Sequence, residues 1–585
     1  MIDLEFLLNN YVKIKYNDDK NYYDHYISIL MKNFIKDIIG YQDGWIMRHS
    51  CINKLEKYFK INYLNEYVPP AYMAVGKEMK LQPYEYQKEA IYYGVQNKNA
   101  LLVLPCGSGK TPIGIGIYLE AKKLGLVNTA GLIVVKASLK KQWVNEVSKF
   151  SDLSSSIIQT YSARCQKYVK AIKKCKDPGQ AKEIQKQADI YFKEQFENID
   201  LLVCNYETLN DNKVLDALLE KQLDYIMCDE IHYIKNHKSD RAKALYHLNN
   251  AKIKIGATAT PITKDPRDVY GIYKFICPDL FGKVGEFQKQ YIKFAGYGRI
   301  NGFKNQIELK EKISNNIFVK TKEEISSQLP SLIVNKIYID LNDDQLALHQ
   351  ELMDKLDELN HKDFVIRQTC KSEFEANSNA ELQQINGQIM AIQTFAQELT
   401  DCPSLLSDSD SDYAKQFGEK VSIKYNPKMD ICIELIDQII ESGEKVCIFS
   451  KFERMQGILT KAIESNFKSQ GIKISYVNGS LSAERRYEEA YTKFRDNDDY
   501  KILLCSDAGA EGLNLPKCKY LIEYDLANSY AIQTQRQGRV ERADSVYDNV
   551  ICYQLIANDS WDTIQEKIIN KKQKFDENII KDLRN

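Results

Sequence analysis

The chain has 585 residues, 44% hydrophobic and 27% charged, too long for one core and enough for three or four domains of roughly 150 residues each. Lys plus Arg and Asp plus Glu number 80 apiece, so with zero net charge a nucleic-acid partner would be gripped by local grooves and not by a global field. No apolar run approaches the about 20 residues of a membrane span, the charged N-terminus is unlike a secretory signal, and fourteen scattered cysteines without a CxxC pair indicate neither a disulfide framework nor a zinc site; a reducing, cytoplasmic compartment of a bacterium or virus-infected host is expected.

Residues 1–78 read as a small accessory module closed by Pro69 and Pro70. From about residue 80, short buried runs (Ala100–Leu104, Leu132–Val135, Leu201–Cys204, Tyr225–Cys228, Ile253–Ile255) alternate with helical stretches. That alternation predicts an α/β fold, a parallel sheet covered by helices, over 79–265. Residues 161–198 interrupt it with a Lys-rich stretch that Asp177-Pro178-Gly179 divides into a helical hairpin; its lysines read first as a solvated face. Residues 266–430 read as mostly helical, with an acidic loop at 407–412. A second alternating block follows over 431–560 (Val446–Phe449, Ile474–Val477, Ile502–Cys505, Tyr520–Tyr524, Val550–Leu555), and 561–585 reads as a polar closing helix.

The run LLVLPCGSGKT is a strand, a Gly-rich turn and a helix start. Gly107, Ser108 and Gly109 let backbone N–H groups surround phosphate oxygens, helped by the helix N-terminus. Lys110 would reach the β- and γ-phosphates of ATP, and Thr111 would put its hydroxyl on Mg²⁺. Leu104 stands about where the strict pattern has another Gly. In YIMCDEIH a buried strand ends in two carboxylates, costly unless cations neutralise them. Asp229 would hold Mg²⁺, Glu230 would activate the attacking water, and His232 would sense the γ-phosphate side. In IGATATP, Thr258 and Thr260 offer hydroxyls that would couple the ATP site to a nucleic-acid groove. Gln87, in LQPYEYQ, is placed to read the adenine edge.

In the second block, SDAGAEGLNL offers glycines for close approach, Gly512 among them at the nucleotide, with Glu511 and Asn514 as polar contacts. QRQGRVER follows, with Gln535 as a coupling residue. Arg539 and Arg542 lie three apart on one helix face, and such a pair can reach across a cleft to the γ-phosphate.

In this order the motifs resemble helicase superfamily 2 and, within it, the Swi/Snf family of helicase-like DNA translocases, over about residues 80–580. KASLKKQWVNEVSKF, NYETL, DLFGKVGEFQKQYI, DCPSLL and YVNGSLSAERRYEEAYTKF point to that branch. The resemblance implies two RecA-like lobes of the P-loop NTPase fold, ATP and Mg²⁺ as cofactors, and movement on double-stranded or branched DNA. It also implies DNA contacts from Ser138, Trp143, Tyr206 and Thr208 in one lobe and Lys451 and Ser480 in the other. The chain departs from the family in GATATP, in the ending after Arg542, and at Lys320, Thr321 and Lys322, where an Arg-rich run is usual and Lys lacks the planar guanidinium fork. The other readings are a strand-separating helicase for RNA or branched DNA, an idle nucleic-acid scaffold, and a metabolic ATPase, which would not need the second arginine-bearing lobe.

Overall fold

The structure, a computed structural model, describes residues 2–6, 11–15, 38–41, 44–48, 61–63, 71–259, 267–294, 300–370, 378–407, 414–415, 426–467, 470–507 and 512–584. Thr260, Glu511 and most of the acidic 407–412 segment lie outside these. The chain forms two compact units, Met1–Tyr92 and Tyr93–Asn585.

The first unit carries five strands, β1 (Ile2–Phe6), β2 (Tyr11–Lys15), β3 (Ile38–Tyr41), β4 (Gly44–Arg48) and β5 (Ile61–Tyr63), in the order β3-β4-β2-β1-β5. The pairs are antiparallel except β1 with β5.

The second unit contains two parallel sheets, the two RecA-like lobes. Lobe 1 uses β6 (Asn99–Val103), β7 (Gly131–Val135), β8 (Ser155–Ile157), β9 (Leu201–Asn205), β10 (Tyr225–Asp229) and β11 (Ile253–Thr258). The strands β7, β9, β10 and β11 are buried along their whole length, as continuous apolar runs covered by helices on both faces should be. After the short pair β12 (Ile292–Phe294) and β13 (Ile300–Phe303), β14 (Ile317–Val319) joins the sheet beside β6, giving the order β14-β6-β11-β10-β7-β9-β8. Lobe 2 is built from β15 (Ser331–Ile339), β16 (Val446–Phe449), β17 (Lys473–Val477), β18 (Tyr500–Cys505), β19 (Tyr520–Glu523) and β20 (Asn549–Ala557), in the order β15-β20-β19-β16-β18-β17.

The region 266–430 is therefore not only helical. It gives β14 to the first sheet and β15 to the second, each paired in parallel. β14 is only three residues long, and β15 breaks its apolar residues with Asn335 and Lys336 and is mostly exposed, so neither reads as a long buried run. Between them and lobe 2, the helices Asp343–Thr369 and Ala380–Asp401 pack through Leu352, Leu356, Ile392 and Leu399. The closing helix, Trp561–Arg584, starts against this pair: Trp561 lies in the same apolar cluster.

A buried ion cluster ties these parts to lobe 2. Lys428, at the start of the helix Pro427–Glu441, donates to Asp401 at 2.8 Å and to Asp562 at 2.7 Å, and all three side chains are fully buried. Gln397 donates to the other Asp562 oxygen at 3.0 Å. Burial pushes the Asp401 carboxyl up, and Lys428 opposes the shift. Removing Lys428 would strand two carboxylates in the interior, the costly way to break a buried pair.

Candidate nucleotide site at the seam between the lobes

In a parallel sheet every strand ends on the same edge, so the residues following β6, β7, β9, β10 and β11 gather there. After β6, the loop Leu104–Gly109 turns into the helix Lys110–Lys123. Gly109 precedes that helix in the left-handed conformation, at φ 74°. Buried Ser108 donates from its hydroxyl to the Pro105 carbonyl at 2.8 Å, which fixes the loop. The Lys110 ammonium lies 3.4 Å from the Pro105 carbonyl and 3.9 Å from the Glu230 carboxylate. The loop of lobe 1 and the acid pair are thus one site.

Asp229 is the last residue of β10 and is buried. Its carboxylate accepts from the Trp143 indole N–H at 3.0 Å and from the Glu230 amide at 3.0 Å. Glu230 takes a left-handed φ of 49°, which turns the chain sharply off the strand. Burial and the neighbouring Glu230 charge push the Asp229 carboxyl up. Burial also acts to raise Glu230, but Lys110, His232 and Arg539 together bring it below its usual range. Two carboxylates facing one Lys110 leave a surplus of negative charge, the setting a hard divalent cation fits.

His232 continues the chain of contacts. Its Nδ1 lies 3.3 Å from Glu230 and 3.2 Å from the hydroxyl of fully buried Thr258, the last residue of β11. The ring stacks on Tyr233 at 5.0 Å. The acid pair and the third motif therefore share one side chain. Gln87 is buried within the first unit; its amide oxygen accepts from the Tyr84 N–H at 2.9 Å and its amide nitrogen donates to the Tyr86 hydroxyl.

The arginine segment of lobe 2 meets this loop. The helix Tyr530–Gln537 ends before both arginines, so Arg539 and Arg542 lie in the turn beyond it and not on one helix face as expected, and the Ala543 N–H donates to the Gly107 carbonyl at 3.4 Å. Gly107 has φ 78°, and a Cβ there would sit 2.2 Å from the Glu541 carbonyl oxygen. Only glycine allows both that backbone conformation and that approach. The charges converge on Cys106: burial pushes its thiol up, Lys110 opposes this, Glu230 adds to it, and Arg539 and Arg542 oppose it. Arg539 is lightly held, donating to the Leu513 carbonyl at 3.3 Å. Arg542 contacts the Gly538 carbonyl at 3.5 Å, and its buried Nε has no partner among the described residues.

Arg536, one turn earlier, behaves differently. It is fully buried and donates in bidentate fashion to Asp507 at 2.6 and 3.0 Å, to the Asp525 carboxylate at 3.1 Å and to the Asp525 carbonyl at 2.6 Å. In the sequence nothing sets it apart from Arg539 and Arg542. The signal was present only in the fold: Asp507 and Asp525 follow β18 and β19 at the edge where the helix docks. Lys322 lacks the guanidinium fork usual at its position, yet its ammonium pairs with buried Glu541 at 2.7 Å across the seam. Gln535 lines a cavity of about 790 Å³ between the lobes, with Pro105, Lys320, Gln537 and Gln554 in its walls.

The residues expected on the nucleic-acid path divide into two groups. Trp143 is buried beneath Asp229; Tyr206 is buried and donates from its hydroxyl to the Asp229 carbonyl at 2.7 Å; Thr208 is buried and donates to Asn205 at 2.6 Å. Trp143 and Tyr206 brace Asp229 and Thr208 braces the end of β9, so their side chains offer no surface to a duplex. Ser138 has a buried hydroxyl without a hydrogen bond among the described residues. By contrast Ser480 is exposed and bonded to Asn478 at 2.7 Å, and Lys451 holds Asp525 by its N–H at 2.7 Å while its ammonium lies over Phe452. Gly512, expected at the nucleotide, packs on Leu139: at φ 80°, a Cβ would sit 1.7 Å from that side chain. The same seam is reinforced by Lys141 over the Tyr487 ring at 4.7 Å and by Lys149 with Asp544 at 3.5 Å.

Two parallel lobes, with a phosphate loop and acid pair in one and an arginine segment from the other closing on that loop, define a helicase-type ATPase. A family model described as SNF2-related domain matches residues 12–403, and one described as helicase conserved C-terminal domain matches 427–544. The chain belongs to the SNF2-related domain family. The Bacillus subtilis protein YwqA is 24% identical over 487 residues, 82% of this chain and 46% of that protein. The Bos taurus DNA excision repair protein ERCC-6-like is 24% identical over 572 residues, 86% and 42% of the two chains. The chain thus spans less than half the length of these relatives. Among solved structures, the Sulfolobus solfataricus SWI2/SNF2 ATPase core in complex with dsDNA is 24% identical, with 82% of this chain and 89% of that chain covered and a TM-score of 0.37. Among the described residues, no helix is long and apolar enough to cross a membrane.

Proposed function

We propose that the chain is a motor that moves along double-stranded DNA, driven by ATP held between its lobes, and that it remodels DNA or protein–DNA intermediates. The observation that carries this reading is the seam itself: Gly107 of the phosphate loop has no room for a Cβ because the segment bearing Arg539 and Arg542 lies against it. The nucleotide's triphosphate is bound by the loop backbone from Gly107 to Gly109 and by Lys110. Glu230 orients and deprotonates the attacking water. Thr111 and Asp229 are the residues that would hold Mg²⁺, which neutralises charge on the phosphate oxygens when bound. Arg539 and Arg542 stabilise the charge that develops on transfer, an effect of about 10³–10⁵ in rate, or on the order of 4–7 kcal/mol.

That effect exists only while the lobes are closed, so hydrolysis and lobe movement are coupled. His232, touching both Glu230 and Thr258, relays the state of the acid pair to the end of β11. The names of the relatives, a DNA excision repair protein among them, fit a DNA substrate. The test is the ATPase rate with no nucleic acid, then with single-stranded, duplex and forked DNA and with RNA, followed by triplex displacement against strand displacement. Duplex stimulation with triplex displacement supports the proposal. Strand separation, or stimulation by RNA alone, would replace it with a strand-separating helicase.

A further inference from the structure

We infer that the helical hairpin inserted in lobe 1, residues 161–193, is a second contact for the phosphate backbone of duplex DNA, extending the path away from the ATP site; this rests on the motor reading above. The hairpin consists of the helices Gln166–Lys174 and Pro178–Lys193, joined at Asp177, whose carboxylate caps the second helix by accepting from the Gly179 and Gln180 N–H groups at 3.1 Å each. Between Tyr161 and Lys176 the sequence has Arg164, Lys167, Lys170, Lys173, Lys174 and Lys176 and not one carboxylate.

A solvated helix looks different in this same molecule. In Asp343–Thr369 the cations are matched by nearby acids: Lys355 and Lys362 both pair with Glu358, and Arg367 pairs with Asp363. The five hairpin lysines from Lys167 to Lys176 are all exposed and form no ion pair among the described residues. The hairpin's acids are already committed: Asp189 to Lys213 at 2.7 Å, Glu183 to Lys186 at 3.9 Å and Asp177 to its cap. In a chain with no net charge, a one-signed, unneutralised surface is the local groove charge that a polyanion requires.

Its placement fits. The hairpin leaves the sheet after β8, the outermost strand, on the edge that carries the phosphate loop and the acid pair. Three strand spacings, about 14 Å, separate β8 from β10. Lys136 and Lys140 leave β7 on the same edge, and Arg486 of lobe 2 lies close enough to Lys136 to depress its ammonium further after burial has done so. Basic residues therefore stand on this edge both at the lobe seam and on the hairpin, with the Glu207 carboxylate near Lys136 and Lys140. The hairpin is also rigidly mounted: the Tyr161 N–H donates to Asp211 at 2.8 Å, Phe192 and Phe196 are buried, and Arg164 stacks on Tyr191 with its Nε donating to the Tyr191 carbonyl at 2.9 Å. Rigid mounting lets a grip on phosphate transmit force to lobe 1.

The test uses the full chain and a short DNA duplex, with binding followed over a salt series. Each phosphate contact adds about 0.9 to the slope of log affinity against log salt. Lys167→Glu, Lys170→Glu and Lys174→Glu together should lower that slope by about 2–3 and raise the DNA concentration giving half-maximal ATPase stimulation about tenfold or more. ATP hydrolysis without DNA should stay within about twofold, and the Gln versions of the three should give the same direction with an unchanged melting temperature. An unchanged slope and half-stimulation point in a chain that DNA does stimulate would overturn the hairpin's role and leave the motor reading intact. If the unaltered chain neither binds duplex nor is stimulated by it, both fall.

Discussion

Each lobe has a carboxylate pair at the edge of its sheet, one member buried and the other partly exposed, and the two pairs are finished differently. In lobe 2, Asp507 and Asp525 enclose Arg536 with four hydrogen bonds from one guanidinium, and Asp525 also accepts from Ser450 and the Lys451 N–H. Both carboxylates there already have their cation. In lobe 1, Asp229 and Glu230 face a single ammonium, Lys110, at 3.9 Å from Glu230, and Asp229 is driven up by burial and by its neighbour's charge. A completed cluster holds a fold together, and an incomplete one is ready for a ligand.

The largest effect should come from breaking the incomplete site. Lys110→Ala should reduce ATP hydrolysis about 10²–10³-fold or more, with little change in the melting temperature. Glu230→Gln should still bind nucleotide but fail to turn it over, seen as a retained nucleotide in a filter-binding assay. The completed site should respond in stability instead. Arg536→Ala leaves buried Asp525 and partly exposed Asp507 without their cation, a loss of about 3 kcal/mol, readable from the urea midpoint. Arg539→Ala, three residues on, should cost well under half of that. Equal losses would erase the distinction between the two arginines.

A smaller effect separates Glu523, at the end of β19 beside the completed cluster. Burial, with Asp507 and Asp525 adding and Arg536 and Gln554 opposing, raises its carboxyl to about 7. The unfolded value is about 4.3, so the native chain holds an extra proton between the two. Stability from this group is present at low pH and is lost as pH rises from about 4.3 to about 7. Glu523→Gln should flatten the melting temperature over that window, a difference of at most a few kcal/mol; a variant with the original pH slope would remove Glu523 from the account. The smallest effect belongs to Lys322→Ala. Its pair with Glu541 is partly exposed and should change the ATP concentration for half-maximal rate no more than about fivefold.

How much of this could be read from the chain follows from sequence distance. The phosphate loop and the acid pair are contiguous runs at strand ends and the arginine segment is one at a helix end, so their chemistry shows in a few adjacent letters. The buried Lys428 cluster spans Asp401 to Asp562, and no local pattern announces it. The arginines at 536, 539 and 542 look alike in QRQGRVER; only the docking of the helix against the ends of β18 and β19 makes the first structural. Trp143 and Tyr206 were placed on the nucleic-acid path by resemblance, whereas large side chains beside a buried acid pack under it and supply its hydrogen bonds. β14 and β15 are hard to read because the apolar run of the first is only three residues long and that of the second is interrupted by Asn335 and Lys336 on an exposed edge strand.

The central claim is that nucleotide held by lobe 1 is acted on by guanidinium groups from lobe 2. It is tested most directly by measuring nucleotide affinity and single-turnover hydrolysis in Arg539→Ala and Arg542→Ala with saturating duplex DNA. Affinity should stay within a few-fold of the unaltered chain while hydrolysis drops about 10³-fold or more. Hydrolysis at the original rate in both variants would contradict a site shared between the lobes.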